Sequence, residues 1–437
     1  MIKGRIMSTI VAQSTPSTAS AIAIIRLSGE QALPLVKAVF SGFNGEVKPR
    51  YMYYGRLDTG KIRDDCMCVY FRAPHSYTGE DMVEINCHGS VAVCRGIIEY
   101  FLSAGAVMAQ RGEYTRRAFE NGKMDLTESE AVIDLINAQS EAEARSAFEQ
   151  LGGALSAKIG ALQKEVTSLI AQTEAAIDYP EEDVEEMTAG AIRGSVVSLI
   201  DKLNALKNTY DSGKIMRSGV KVAIVGQPNA GKSMLLNRLL GYERSIVSDV
   251  AGTTRDYVEE SFLLGDIRFV LVDTAGVRDA SDAVEQMGVK RSIDVMNGAD
   301  IVLSVAAPDG EFLCPDDKRA LFVENKSDLQ KGTRSFAVNI SALTGEGLEN
   351  LKSVLYEKAL SLSASGLGTI NNLRHLQAVT NALSAATRAL AAIDDCLPPD
   401  LIGDDLMGVY RALGSITGIT SSDEIVGEIF SRFCVGK

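Results

Sequence analysis

The sequence predicts a mixed fold, in which an α/β domain is followed by an all-α bundle that contains an inserted, doubly wound α/β domain. Three changes along the 437 residues lead to this prediction. Residues 1–120 mix short apolar runs with Gly and Pro, residues 121–216 carry long apolar stripes at helical spacing, and residues 217–366 alternate strand-like with helix-like runs. Helical spacing then returns over residues 367–437. A chain of this length holds about two or three domains.

The first domain is predicted from its short strands. Apolar runs at residues 21–27, 68–71 and 82–85 are bounded by turn-forming residues, as in a domain with several strands. The sequence then becomes helical, and Thr127 with Glu130 has the spacing of a capping box at a helix start.

Long helices are predicted on either side of the inserted domain, because apolar residues recur there at steps of three and four. The stripes before it are Leu155, Ile159, Leu162, Val166, Leu169 and Ile192, Val196, Leu199, Leu203, Leu206. The stripes after it are Leu376, Val379, Leu383, Leu390, Ile393 and Ile402, Leu406, Val409, Leu413. We interpret the two regions as one bundle, since neither has enough helices to close a core; the alternative is two unrelated helical pieces.

The inserted domain is predicted from short apolar runs that are each followed by a turn or helix signal. These runs lie at residues 222–225, 269–272, 301–305 and 321–323. Strands that are buried on both faces of a parallel sheet have this pattern. We therefore expect a doubly wound parallel sheet over residues 217–366.

Charge and composition exclude several classes of protein. The net charge is -13, so the surface as a whole does not attract nucleic acid, and any such contact needs a local basic patch or a basic partner. No apolar run reaches the roughly 18–20 residues of a membrane helix, which predicts a protein without a membrane span. The cysteines are scattered and odd in number, which indicates reduced thiols and a cytoplasmic location.

A phosphate-binding loop is predicted directly after the first strand of the inserted domain. The segment reads Gly226-Gln-Pro-Asn229-Ala230-Gly231-Lys232-Ser233, and the helix-like Met234 and its successors follow. Such a loop turns backbone N–H groups towards phosphate oxygens. We expect Lys232 to reach the β- and γ-phosphates and the Ser233 hydroxyl to ligate Mg²⁺.

Two further segments complete the predicted phosphate site. Asp273-Thr274-Ala275-Gly276 follows a strand, where the carboxylate can support the Mg²⁺ shell and the Gly276 N–H can meet the γ-phosphate. Thr254 is placed to supply a second hydroxyl to Mg²⁺.

A base-binding site is predicted at the next strand end. Asp328 of Asn325-Lys326-Ser327-Asp328 can accept hydrogen bonds from both N1–H and the 2-amino group of guanine, a pair that adenine lacks. Ser341-Ala342-Leu343 is expected to close over the base edge. The order of these motifs is that of a Ras-like guanine-nucleotide-binding domain, so the predicted nucleotide is GTP.

The hydrolytic machinery is less evident from the residues. The position that often carries a water-orienting Gln is Val277, which has no polar group. The Asn229 amide oxygen suits a monovalent cation beside the phosphates, with a solvent-facing loop residue as the alternative. Glu285 lies in an acidic stretch, and composition alone favours a solvated charge over a base.

Further motifs run through the whole chain in a family-specific order. They are Thr9-Ile-Val-Ala-Gln, Ser76-Tyr-Thr-Gly-Glu-Asp, Arg117-Ala-Phe, Lys123-Met-Asp-Leu and the tail Phe433-Cys-Val-Gly-Lys437. With the GTPase motifs, they resemble the MnmE (TrmE) family of tRNA-modification GTPases.

The resemblance implies the domain boundaries, the function of each domain and the reaction of the whole protein. Residues 1–120 would bind tetrahydrofolate and dimerise, residues 121–216 and 367–437 would form the helical domain, and residues 217–366 the GTPase domain. Members are potassium-activated homodimers that work with the FAD-dependent partner MnmG in a heterotetramer. They modify carbon 5 of the wobble uridine (aminomethyl or carboxymethylaminomethyl) in certain tRNAs, using 5,10-methylene-tetrahydrofolate or a related folate.

The resemblance also implies roles for individual residues. It places K⁺ on Asn229 and on the backbone of Ser248, Val250 and Thr253, and Mg²⁺ on Ser233 and Thr254. Asp249, Ala251 and Gly252 complete that nucleotide-binding segment. Glu285 becomes the residue that orients the attacking water, which reverses the interpretation from composition. Arg26, Glu84, Lys123 and Lys437 fall on the folate site, and Cys434 on the modification chemistry, although a cysteine near a C-terminus is more often inert.

The sequence departs from the family's pattern in two places. Ser17-Thr-Ala-Ser20 replaces a Gly- and Arg-containing family loop, and the short stretch between Val305 and Asn325 predicts that one helix beside the base pocket is trimmed.

The main alternative function is a GTPase switch that assembles ribosomes or other complexes without transfer chemistry. A folate-dependent transferase with a vestigial GTPase fits the complete nucleotide motifs less well.

Overall fold

The computed structural model describes residues 8–178, 185–241, 260–272, 296, 298–332, 334–363 and 368–437. Its contacts divide the chain into two units, Met1–Ile133 with Gly414–Lys437, and Asp134–Leu413. Among the described helices, none combines the length and hydropathy that a membrane crossing requires.

The first unit is built on a six-stranded sheet with the strand order β3-β4-β5-β2-β1-β6. Its strands are β1 (Ile10–Gln13), β2 (Ser20–Ser28), β3 (Met52–Asp58), β4 (Arg63–Phe71), β5 (Met82–Gly89) and β6 (Val107–Met108). All three predicted runs of this domain lie within these strands. Strands β2 and β5 are antiparallel, and Arg26 faces Glu84 across them.

One face of this sheet forms the core of the unit. Alternate residues of β2, namely Ala23, Ile25 and Leu27, are fully buried, as expected for a strand with one apolar face. Helices α1 (Ala32–Lys37) and α2 (Val91–Ser103) pack against that face.

Short helices bring the chain's end to this sheet. They are α3 (Glu113–Glu120), the start of α4 (Leu126–Asn137) and the last helix, Asp423–Ser431. Phe430 of the last helix lies 6.3 Å from the Phe119 ring and 5.3 Å from the Phe433 ring, measured between centroids. The tail then forms a β-bridge between Val435 and Arg111.

The capping box at the start of α4 differs from the prediction. The Glu128 N–H donates to Asp125 Oδ1 over 2.9 Å, and the Asp125 N–H donates to Glu128 Oε2 over 2.8 Å. Asp125 and Glu128 thus form a reciprocal pair at the helix start, two residues before the predicted one. Thr127 Oγ1 instead donates to Asp125 Oδ1, because aspartate is an equally good N-cap and stands two residues earlier.

The described helices that lie mainly in the second unit come before, within and after the inserted sheet in the sequence. They are α5 (Glu141–Leu151), α6 (Ala154–Asp178), α7 (Glu185–Lys207), α8 (Tyr210–Ser218), α9 (Lys232–Leu240), α10 (Leu348–Ser363), α11 (Leu373–Asp394) and α12 (Pro399–Thr417). The last helix of the chain, Asp423–Ser431 in the first unit, is α13. The predicted stripes of α6 and α7 are buried.

The buried face of α11 is only partly the predicted one: of the predicted stripe, Val379 is fully buried. Leu376, Leu383 and Leu390 are only half-buried. The residues that are buried are mostly alanines: Ala378, Ala382, Ala385, Ala386, Ala389 and Ala392. Helix α11 packs on α7, and small side chains let two helix backbones approach closely. Counting large apolar residues therefore missed most of the packed face.

The inserted domain forms the predicted doubly wound sheet, with the strand order β12-β11-β10-β7-β9-β8. The strands are β7 (Val220–Gly226), β8 (Ser261–Leu264), β9 (Ile267–Leu271), β10 (Ile301–Ala306), β11 (Ala320–Glu324) and β12 (Val338–Asn339). All neighbours are parallel except β8 and β9. Residues 307–319, all described, contain turns and no helix, as the short sequence there predicted.

Candidate functional site

The phosphate loop runs from the end of β7 to the start of α9. Gly231 caps α9 with φ +91°, a left-handed conformation that favours glycine. A Cβ on Gly231 would collide with the Asn325 side-chain nitrogen, and a Cβ on Gly226 with the Val305 carbonyl. Both glycines are therefore required by close approach of neighbouring strand ends.

Lys232 lies inside the mouth of this loop. Its Nζ donates to the carbonyl oxygens of Gly226, over 2.9 Å, and of Gln227, over 3.0 Å. Burial lowers the pKa of Lys232 below its usual range. Ser233 and Met234 are exposed in the first turn of α9, where the N–H groups and the helix dipole favour an anion.

Asn325 joins the base-binding motif to the phosphate loop. Its side chain is buried, and its Nδ2 donates to the Ala230 carbonyl over 2.8 Å. Its Oδ1 accepts from the Ala342 N–H over 2.9 Å. Three motifs that are separate in sequence are thus fixed to one another through one amide, which satisfies each polar group that it buries.

The other residues predicted to bind the base belong to the same two segments as Asn325 and Ala342. Asp328 is exposed, and its Oδ1 hydrogen-bonds the buried Ser341 hydroxyl. Lys326 has φ +70°, and Leu343 is exposed. A carboxylate held beside open space in this way can accept hydrogen bonds from a base edge.

Sequence reasoning missed Arg238 in this region. From α9, its Nε donates to the Ala342 carbonyl over 3.1 Å, and its Nη2 to the Leu343 carbonyl over 2.6 Å. It ties the helix that follows the phosphate loop to the segment expected to cover the base. Its position in the last turn of α9 is an ordinary one for arginine, so nothing in the pattern marks it.

Other predicted nucleotide residues lie outside the described part of the chain. They are Ser248, Asp249, Val250, Ala251, Gly252, Thr253, Thr254, Asp273, Thr274, Ala275, Gly276 and Glu285.

A second cluster, which we call the arginine–tyrosine cluster, lies in the first unit and consists of Arg26, Glu84, Tyr77, Tyr114 and Lys437. Arg26 donates to Glu84 Oε1 through Nη2 over 2.6 Å and through Nε over 2.9 Å. The guanidinium carbon lies 5.5 Å from the ring centroids of both Tyr77 and Tyr114. A charge held between an ion pair and two rings keeps its orientation.

The chain's last residues complete this cluster. Lys437 Nζ lies 5.7 Å from the Tyr77 ring centroid. The Gly436 carbonyl accepts from Ser14 Oγ over 3.1 Å and from Arg26 Nη1 over 3.5 Å. Burial, aided by the charge of Arg26, lowers the pKa of Lys437, and Glu84 opposes this shift.

Two predicted residues make different contacts. Lys123 is exposed, and its Nζ donates to the Pro74 carbonyl over 3.0 Å, on the segment that leads to Tyr77. Cys434 is exposed, and its carbonyl accepts from the Gly112 N–H over 3.3 Å.

The structure also explains two sequence motifs whose role was not predicted. Arg117 is 3% exposed; its Nη1 lies 3.1 Å from Glu80 Oε2, and its Nη2 lies 2.7 Å from Glu113 Oε1. Arg116 pairs with Glu120 on the surface. Arg117 therefore joins the Ser76–Asp81 motif to α3 and is a structural residue.

Comparisons with known proteins agree with this arrangement. The family model described as the MnmE helical domain matches residues 126–434. The one described as the GTP-binding protein TrmE N-terminus matches residues 9–123. The chain belongs to the MnmE family.

Individual MnmE relatives match almost the full chain. The tRNA modification GTPase MnmE of Aquifex aeolicus (strain VF5) is 40% identical over 445 residues, covering 98% of this chain and 99% of the relative. The protein of the same name from Clostridioides difficile (strain 630) is 38% identical over 456 residues, with coverage of 98% and 99%. These matches confirm the predicted fold class and the prediction of a GTP hydrolase of tRNA modification.

Solved structures resemble only part of the chain. The G domain of the T. maritima FeoB iron transporter covers 32% of this chain and 98% of its own, at 24% identity and a TM-score of 0.24. SsGBP with GDP covers 59% of this chain and 82% of its own, at 16% identity and a TM-score of 0.23. Scores this low carry no argument about the MnmE fold.

Proposed function

We propose that this chain is a potassium-activated GTPase that, with the FAD-dependent partner MnmG, modifies carbon 5 of the wobble uridine in certain tRNAs with a folate one-carbon unit. The observation that carries the proposal is the Asn325 amide, which fixes the phosphate loop, the base motif and the Ser341-Ala342-Leu343 segment together. The described part of the predicted nucleotide site, in the second unit, thus accompanies the arginine–tyrosine cluster of the first unit in one chain.

The phosphate side would work through charge and positioning. Lys232 would leave its loop carbonyls for the β- and γ-phosphates, and Ser233 would ligate Mg²⁺. Asn229 is exposed and has φ +61° inside the loop, so its amide oxygen fits a K⁺ ion that supplies the charge of an arginine finger. Thr254, Ser248, Val250, Thr253 and Glu285 would complete the metal and water sites.

The arginine–tyrosine cluster fits a folate. A pterin has a flat ring with a donor edge, and its glutamate tail carries carboxylates. Tyr77 offers a ring face, Glu84 accepts hydrogen bonds, and Arg26 and Lys437 supply positive charge to carboxylates. Lys123 donates a hydrogen bond to the carbonyl of Pro74, three residues before Tyr77. When bound, the folate would supply the one-carbon unit, while these residues orient it, with Cys434 exposed on the same C-terminal tail.

The assembly is also part of the proposal. We keep the boundaries 1–120, 121–216, 217–366 and 367–437 for the domains, a homodimer, a cytoplasmic location and a heterotetramer with MnmG. A net charge of -13 makes non-specific attraction of tRNA weak, which favours a partner that supplies part of the cationic surface.

The test is mass analysis of wobble nucleosides in tRNA from a strain that lacks this protein. We expect the carbon 5 groups to be absent, to return with the wild-type gene, and to stay absent with Lys232→Ala. If the strain that lacks the protein keeps the same amount of carbon 5 modification as its parent, the proposal is refuted and the assembly switch is favoured. The exposed Lys164→Ala on α6 is the matched control and should restore modification.

A further inference from the structure

The segment that carries the guanine motif is closed by the two residues that flank it. We call residues 325–332 the base loop; Glu324 precedes it at the end of β11, and Arg334 comes two positions after its last residue, with residue 333 outside the described part. The Arg334 N–H donates to Glu324 Oε2 over 3.4 Å, and Arg334 Nη1 lies 3.9 Å from Glu324 Oε1. Asp328 therefore lies in a loop whose ends are joined by main chain and charge.

Arg334 also contacts residues 310–312. They belong to the short stretch before Asn325 in which the sequence predicted a trimmed helix. Its Nη2 donates to the Gly310 carbonyl over 2.7 Å, and its guanidinium carbon lies 4.9 Å from the Phe312 ring centroid. Phe312 in turn packs edge to face on Phe322 of β11, with centroids 5.0 Å apart. One guanidinium thus ties residues 310–312 to the strand end from which the base loop begins.

The link between Glu324 and Arg334 involves a buried charge, so it should be sensitive to loss of the Arg334 guanidinium. The Glu324 side chain is 1% exposed, and that of Arg334 is 25% exposed. Glu324 Oε1 and Arg334 Nη1 are both buried and make no hydrogen bond to any described residue. If the guanidinium were removed, a carboxylate would be left buried without its counter-charge, which is strongly unfavourable. The end of β11 would have to shift to let water reach it.

A shift at the end of β11 would directly displace residues of the predicted nucleotide site. The residue after Glu324 is Asn325, whose amide holds Ala230 of the phosphate loop and Ala342. Gly332, near the other end of the base loop, packs so closely that an added Cβ would collide with the Asn339 side-chain oxygen and would lie 2.5 Å from Glu324 Oε2. The Glu324 carboxylate therefore lies close to both ends of the base loop.

We propose that Arg334 is a positioning residue for guanine recognition, which acts by closing the base loop on Glu324 and thereby fixing Asp328. It does not touch the base itself. The inference rests on the proposed role of Asp328, and it adds a residue outside the Asn-Lys-Ser-Asp motif to base selectivity.

The test compares the Kd of GDP with the Kd of inosine diphosphate, which lacks the 2-amino group, by calorimetry on the full chain. We expect Arg334→Met to lower the selectivity for GDP about tenfold, which is the size of one lost hydrogen bond to a charged group. Arg334→Lys keeps the charge with fewer donors and should give a smaller loss; it carries the test if Arg334→Met does not fold.

Arg319→Met is the matched control. Arg319 lies just before the other end of β11 and also donates to backbone carbonyls, those of Met296 and Ala299. Its loss should lower the thermal midpoint and leave the GDP selectivity unchanged, which separates positioning from general stability.

Asp328→Asn distinguishes this inference from the proposed function. If Asp328→Asn lowers selectivity but both Arg334 variants keep the wild-type ratio, the positioning role is refuted and the guanine assignment stands. If Asp328→Asn leaves the ratio unchanged, the assignment of Asp328 fails, and the role of Arg334 fails with it.

Discussion

The nucleotide site and the arginine–tyrosine cluster are built in opposite ways. The described nucleotide residues come from three short motifs, each at the end of a parallel strand, and one buried amide joins them. The arginine–tyrosine cluster takes its residues from β2, β5, α3, a loop and the chain's last residue. The first is assembled by the sheet topology, and the second by long-range packing of side chains.

This difference sets how each region should respond to change. In the phosphate loop, backbone groups would face the nucleotide, and the glycines are required by close contact, so single changes should be severe. In the arginine–tyrosine cluster, two rings and one ion pair share the work, so single changes should be partial. The predictions below use this contrast.

The largest effect is expected at Lys232. Lys232→Ala should lower GTP turnover in potassium buffer by about a hundredfold or more, since it removes charge that stabilises the transferred phosphoryl group. Folate affinity should stay at the wild-type value, because the two regions share no residue. Phosphate release and folate calorimetry on one preparation measure both. A parallel loss of folate binding would show that the two sites are not independent.

The second largest effect is expected when K⁺ is replaced in the hydrolysis buffer. Exchange of K⁺ for Na⁺ should slow hydrolysis roughly ten- to a hundredfold, because the smaller Na⁺ does not fit a site sized for K⁺, and its charge is then missing from the transition state. Asn229→Ala should be slow in both salts, which identifies the residue as well as the ion. Equal wild-type rates in the two salts would remove Asn229 from the mechanism.

A smaller effect is expected at Tyr77. Tyr77→Leu should weaken folate binding about tenfold, since it removes the ring next to Arg26 and Lys437. Tyr77→Phe keeps the ring and loses only the hydroxyl that hydrogen-bonds Thr115, so it should bind nearly as well. If the two variants were equally weak, the hydroxyl and not the ring would matter.

The mildest effect is a dependence on pH. The pKa of Lys437 lies below its ordinary value of 10.5, chiefly through burial. Its charge is present below that lowered pKa and is lost as pH rises through it, so folate affinity should fall with rising pH earlier than an ordinary lysine allows. Lys437→Arg, which stays charged, should remove this fall. A wild-type profile that is flat up to the ordinary lysine range would contradict a role for this charge.

The sequence predicted these two regions unequally, for a physical reason. Gly226, Lys232 and Asn325 belong to contiguous motifs whose spacing follows from one loop or one strand end, so local pattern suffices. Tyr77 and Tyr114 meet Arg26 only after the sheet and α3 have folded. Only the family resemblance indicates Arg26, Glu84 and Lys437, because as isolated charges they look like ordinary surface residues.

Helices show the same limit on a smaller scale. The stripe of α6 is predicted correctly because large residues fill its face, whereas α11 buries alanines such as Ala382 and Ala386, whose small size is the signal. Arg238 and Arg334 act through carbonyls of distant loops. Neither spacing nor composition encodes such contacts, so they had to come from the structure.

The central claim is that hydrolysis of GTP at one site drives chemistry on tRNA. It is tested most directly by reconstituting wobble-uridine modification with the purified chain, MnmG, folate and tRNA in potassium buffer, with either GTP or a non-hydrolysable GTP analogue. We predict modified uridine with GTP and none above background with the analogue. Equal modification with the analogue, or without nucleotide, would contradict the account.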